Sequence, residues 1–294
     1  MSNVLELKDV CKNYSDFKLD KISFTVPEGC ICGFIGQNGA GKTTTIQLIL
    51  DSIKRDGGDI TVFGKDVLKE GPLLKEDIGV VFDEMGFHDF MTPVDINRMM
   101  KNVYTNWNEE MFWGYLQRFS LPRKKKCGAY SRGMRMKLQI AAAMSHNAKL
   151  LLMDEPTSGL DPVVRNEILQ IFQEFVMKEN HTILLSSHIT SDIERIADMV
   201  VFIDHGQIVL QGEKDDVLER HGLLKCKKNE LEQIDAEDMV ASRQSAFGVE
   251  VLVKDRELCR RKYPKMVVEQ TSLEEIMIFY VGNQFAENGA KQEA

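Results

Sequence analysis

Residues 36 to 43 read Gly-Gln-Asn-Gly-Ala-Gly-Lys-Thr, a G-x-x-x-x-G-K-[ST] pattern. The chemistry open to such a segment is phosphate binding. Its glycines let successive backbone N–H groups point inward, and the N-terminus of a following helix adds a dipole that favours an anion. Lys42 is placed to reach the terminal phosphates, and the Thr43 hydroxyl to bind Mg²⁺. The expected cradle comprises Gly36, Asn38, Gly39, Ala40, Gly41, Lys42, Thr43 and Thr44. A second segment, Leu150-Leu-Leu-Met-Asp154-Glu155, ends an apolar run in two carboxylates. Asp154 there suits the water shell of Mg²⁺, and Glu155 suits polarising an attacking water as general base. The chain is expected to bind a nucleoside triphosphate.

These groups need elements to hold them. The continuous apolar run over 30–35 predicts a strand before the glycine loop, and Thr44, Ile46, Ile49, Leu50 and Ile53 predict a helix after it. Further strands are expected over 4–10, 19–26, 59–62, 150–153, 182–185, 199–203 and 207–210, with a helix over 162–178. Strands alternating with helices imply an α/β fold around a parallel sheet. Residues 94–147 turn helical and rich in methionine and aromatics, as an insertion into that fold. The expected organisation is a nucleotide-binding domain over 1–213, a small α+β accessory or dimerisation domain over 214–284, and a polar tail over 285–294. In the second domain 247–253 reads as a strand. Ser272 and Glu275 form a capping box for a helix over 272–280. The apolar face of that helix, Leu273, Ile276, Met277 and Tyr280, must pack either on the core of its own chain or on a second copy, and the second copy is the favoured expectation.

Composition narrows the possibilities. At 43% hydrophobic and 28% charged over 294 residues the chain is globular, not disordered. Its net charge of -8 makes nucleic acid a poor default partner. The stretch from Arg118 to Lys137 carries eight basic residues and no acidic one, but lacks the aromatic interleaving of a nucleic-acid surface and reads as a solvated basic loop. Six scattered cysteines without a CxxC pair point to a reducing compartment. The first residues lack the apolar core of a signal peptide. No uncharged apolar run reaches the length of a membrane span, so any membrane part must come from another chain.

Taken in order, the motifs resemble those of the ATP-binding subunit of an ABC transporter, over about residues 3–212. Ser131-Arg-Gly133-Met134 stands at the family's signature, Ser158-Gly-Leu-Asp161 at its D-loop and Ser187-His188 at its switch histidine. The signature is similar to that of the bacterial exporter branch of drug, bacitracin-resistance and peptide-export ATPases. The resemblance implies a P-loop NTPase core of the ABC type with a helical subdomain, and ATP and Mg²⁺ as cofactors. It implies that Tyr14 stacks on adenine and that Glu155 and His188 are catalytic. Ser131, Gly133 and Met134 would contact ATP held by a second ATPase subunit, identical or not. An integral membrane permease is the implied partner, which puts the chain at the cytoplasmic face of the bacterial membrane, with no nucleic acid involved. Two positions depart from the pattern: Arg132 replaces a glycine, and Asp83 replaces a glutamine that touches Mg²⁺. Asp83 is therefore a candidate metal residue beside Thr43 and Asp154. Two rivals are a soluble ATPase acting on ribosomes or DNA and a regulatory binder that barely hydrolyses ATP. A single ATPase core argues against the first, and the presence of Glu155 and His188 against the second.

Overall fold

Alternating burial along β1 (Asn3–Asn13) and β2 (Lys18–Pro27) marks strands with one wet face, and the two pair antiparallel. In the computed structural model, which describes residues 2–281 apart from positions 179 and 247, they form a sheet of their own. It is completed by β4 (Gly57–Val62) and β5 (Lys65–Asp66), in the order β2-β1-β4-β5. The apolar run that follows β2, β3 (Ile31–Ile35), is buried at every residue, as a strand with both faces covered must be. It leads through the glycine loop into α1 (Lys42–Ile49). Asp66 caps α2 (Val67–Leu74), a helix the periodicity did not announce, and β6 (Ile78–Val81) follows.

The helical insertion contains α3 (Pro93–Val103), α4 (Glu109–Arg118) and α5 (Arg132–Met144). Each starts on a side-chain cap: Thr92 with Asp95 in a capping box, Asn108, and Ser131. The chain then alternates through β7 (Leu150–Asp154), α6 (Pro162–Val176), β8 (Thr182–Ser187), α7 (Thr190–Ile196) and β9 (Met199–Asp204). Strands β9-β3-β8-β7-β6 run parallel in that order, so the central sheet is parallel as expected. This order places the ends of β3, β7 and β8 side by side, which is where the site lies.

The chain divides into two compact units, 1–208 and 209–294, and β10 (Gln207–Glu213) carries it from one to the other. In the second unit come α8 (Lys214–Arg220), β11 (Gly222–Cys226), β12 (Met239–Ser245), β13 (Gly248–Val253), α9 (Arg256–Lys262) and β14 (Val267–Glu269). Its four strands form an antiparallel sheet, β12-β13-β11-β14, over a core that includes Leu224, Val251, Val253 and Cys259. A final helix, α10, spans 273–281. Ser272 caps it by accepting from the Glu275 N–H, and the Glu275 carboxylate accepts from Thr271. The expectation that its apolar face packs on a second copy is corrected here. Leu273 and Ile276 are 0% exposed within the chain itself, Arg243 lies over the Phe279 ring and Tyr280 reaches His221. The expected tail over 285–294 lies outside the described residues. Among the described residues no helix is long and apolar enough to cross a membrane.

Two buried histidines predict how stability follows pH. In the first unit His146 Nδ1 donates to the Glu76 carbonyl, and in the second His221 Nδ1 donates to the Val217 carbonyl. Burial lowers both imidazole pKa values below the ordinary 6.5. The folded chain thus prefers them neutral while the unfolded chain still takes up protons near 6.5. Their contribution is present above that pH and is lost as pH falls through the folded values. The urea midpoint should drop between pH 7.5 and 5.5, with both imidazole NMR signals titrating below 6.5. Signals titrating above 6.5 would contradict the burial argument.

Candidate functional site

The glycine loop is shaped by contacts that exclude side chains. A Cβ on Gly36 would fall 2.4 Å from the Ile203 carbonyl oxygen, and Gly41 adopts φ +115, a backbone state that favours glycine. These constraints bring the Lys42 ammonium back over the loop. It donates to the Gly36 and Gln37 carbonyls at 2.7 and 3.1 Å and sits 3.1 Å from Glu155 Oε1. Lys42 is only 5% exposed, so this charge is held in a fixed place rather than waving in solvent.

The neighbouring strands supply the rest. The Thr43 hydroxyl donates to Asp154 Oδ2 at 2.7 Å, and the Ser186 hydroxyl donates to Asp154 Oδ1 at the same distance. Glu155 stands at φ +52, a strained conformation for a residue with a Cβ. Its carboxylate is fastened on both sides, by Lys42 and by His188 Nδ1, which donates to Glu155 Oε2 at 2.7 Å. Thus Lys42, Thr43, Asp154, Glu155 and His188, from α1, β7 and the end of β8, converge in one place. Thr43 and Asp154 offer adjacent hard-oxygen donors, a set that fits Mg²⁺.

Tyr14, half exposed, lines a cleft of about 480 Å³ together with Asn38, Gly39, Lys42, Thr44 and Glu155. Phe17 lines the same cleft, and the Tyr14 N–H donates to the Phe17 carbonyl, so one turn presents two aromatic rings. Ser131, Gly133 and Met134 gather at the start of α5 in a different cleft, bordered by Gly159 and Asp161. Ser131 accepts from the Met134 N–H, and a Cβ on Gly133 would meet Val164 at 3.2 Å. Asp83 follows β6 and is engaged by Arg132 in an ion pair. Its carboxylate is held there, while Thr43 and Asp154 hold each other.

Several site residues escaped the sequence reading. Ser186 orients Asp154, and only the run Ser186-Ser-His188 hinted at it. Gln139, buried among the alanines of α5, donates to the Phe82 carbonyl and accepts from the Gly86 N–H, tying the segment after β6 to the insertion. Asp192, 4% exposed, accepts from Thr157 at 2.7 Å and from Arg165 at 2.6 Å, linking the loop after Glu155 to the helix after His188.

The ABC transporter family model matches residues 19–158. The chain is 34% identical over 212 residues to the bacitracin transport ATP-binding protein of Bacillus licheniformis, covering 71% of this chain and 69% of that one. The chain belongs to the ATP-binding subunits of ABC transporters. It is also 31% identical over 265 residues to the linearmycin resistance ATP-binding protein of Bacillus subtilis, covering 87% and 84%. A solved ATP-binding subunit of an ABC transporter superimposes with a TM-score of 0.67 at 27% identity, covering 73% of this chain and 91% of that one. The α/β architecture is therefore that of the family. As an ABC ATP-binding subunit the chain binds and hydrolyses ATP to power transport. Such subunits act in pairs with a transmembrane permease.

Proposed function

We propose that this subunit drives export of an amphipathic peptide, drug or lipid-like molecule from the cytoplasmic face of a bacterial membrane, through a separate permease. The likeness to bacitracin and linearmycin proteins supports the cargo class. The observation that carries the mechanism is the row Lys42–Glu155–His188, a base clasped between a phosphate-binding cation and an imidazole. Lys42 exchanges its loop carbonyls for the β- and γ-phosphates. Thr43 and Asp154 hold Mg²⁺, which when bound neutralises developing phosphate charge. Glu155 polarises the attacking water, and His188 steadies Glu155 and senses the γ-phosphate. Tyr14 stacks on adenine.

Two copies, identical or not, sandwich ATP head to tail, the P-loop of one against Ser131, Gly133 and Met134 of the other. That the two sets line separate clefts in one chain supports this arrangement. Nucleic acid plays no part. Within the basic segment Arg118 is engaged by Glu174, Arg135 by Asp89 and Lys137 by Glu167, which supports a structural use of those charges. In everted vesicles carrying this chain and its permease, ATPase activity should rise with amphipathic peptides and fall to zero with EDTA. A flat response across a panel of such peptides and drugs would remove the cargo class.

The domain over 214–284 is proposed to steady the pair of subunits through its outer surface, where Leu258 and Val267 are exposed. Deleting 214–294 should leave nucleotide binding nearly unchanged and raise the ATP concentration for half-maximal turnover of the assembled transporter. Unchanged ATP dependence and unchanged spin-label distances between subunits would remove that role.

A further inference from the structure

Arg132 donates from Nη2 to Oδ1 of Asp83, joining parts of the first unit that are remote in sequence. Asp83 follows β6, whose neighbour β7 ends in Asp154. Arg132 is the first residue of α5 in the helical insertion. The same guanidinium lies against the loop that follows Glu155, because a Cβ on Gly159 would come within 3.2 Å of Arg132 Cζ. Both partners are about half exposed, 51% for Arg132 and 46% for Asp83. Water and salt therefore screen the pair, and it opens at little cost. A weak bond between two elements remote in sequence, touching the loop beside the base, has the character of a switch.

We propose that the Arg132–Asp83 pair is a resting latch. Asp83 holds the guanidinium until two ATP-loaded copies close, and the triphosphate bound by the second copy then takes the place of Asp83. This inference rests on the two-copy sandwich proposed above. The chemistry favours the exchange. Phosphate offers the arginine fork the same paired oxygen acceptors as a carboxylate, with more negative charge, so the guanidinium is satisfied in both states and better satisfied in the second. Whatever free energy holds Arg132 to Asp83 opposes closure by the same amount. The latch therefore raises the ATP concentration at which the two copies close by a modest factor, and its opening releases the guanidinium from beside the Gly159 loop that leads back to Glu155. Arg132 then contacts the nucleotide directly, while Asp83 acts through it as a positioning residue, and one contact accounts for two departures from the family pattern.

The test is ATP-dependent dimerisation of the full-length Glu155→Gln chain, followed by light scattering through an ATP titration in Mg²⁺. Adding Asp83→Asn should lower the half-point about fivefold, since the guanidinium is then free before ATP arrives. Adding Arg132→Gln instead should raise it about tenfold, and Arg132→Lys, which keeps the charge without the fork, should recover part of that loss. Asp83→Asn should have no effect once Arg132→Gln is present, because no guanidinium remains to be released. Circular dichroism melts identify any variant whose fold, rather than its latch, has changed. An Asp83→Asn variant whose half-point stays the same or rises overturns the latch, and so does an equal decrease with and without Arg132. A Glu155→Gln chain that stays monomeric at saturating ATP overturns the sandwich itself, and the latch falls with it.

Discussion

A Glu155→Gln chain should bind ATP as the parent does, turn it over about 100- to 10,000-fold more slowly, and accumulate as an ATP-held dimer. The substitution keeps the volume of the side chain and its ability to accept from His188 Nδ1, 2.7 Å away. What it removes is a carboxylate basic enough to take a proton from water. Binding and closure precede that step, so they should continue while hydrolysis stalls. The geometry also predicts why little else changes. Glu155 is held at φ +52 by its backbone N–H, which donates to the Ser186 carbonyl, and that bond is untouched by the replacement. Single-turnover hydrolysis and light scattering at saturating ATP measure the two halves of the prediction. Near-normal turnover would show that another group serves as base.

Lys42→Ala should fail earlier, at binding. The Lys42 ammonium, 5% exposed, is the buried cation of the row Lys42–Glu155–His188. Charge-assisted hydrogen bonds contribute about 1.5–3 kcal/mol each, so losing contacts to two phosphates should weaken ATP binding by about 100-fold or more. The change also strips Glu155 of its cation 3.1 Å away, leaving the carboxylate held by its hydrogen bond from His188 Nδ1. Equilibrium binding of a fluorescent ATP analogue separates this variant from Glu155→Gln: one loses affinity, the other keeps affinity and loses turnover. If both variants bound alike, Lys42 would have no phosphate to hold.

Part of this was legible because it is local. The glycine loop works through consecutive backbone N–H groups, so its order in the chain is its chemistry, and the structure places Lys42 and Thr43 at the start of α1 as the pattern requires. Likewise, an apolar run closing in Asp154-Glu155 can only be a buried strand with a polar end, and β7 is buried at all five residues. The parallel sheet followed from alternation. The small second unit was harder to read, because β12 runs Met-Val-Ala-Ser-Arg-Gln-Ser, buries none of these residues fully, and is placed by its pairing with β13 rather than by apolar periodicity.

The sequence by itself determined the phosphate cradle, the carboxylate pair and the family, since each depends on residues adjacent in the chain or on motifs in a set order. Only the tertiary structure decided which partners orient them. Thr43 meets Asp154 across 111 positions, Ser186 meets Asp154 across 32, and Arg132 meets Asp83 across 49. It also turned the apolar face of α10 inward, where burial against its own chain covers Leu273 and Ile276. Hydrogen bonds and ion pairs depend on distances of about 3 Å between side-chain atoms, and strand order and packing, not residue order, bring such atoms together.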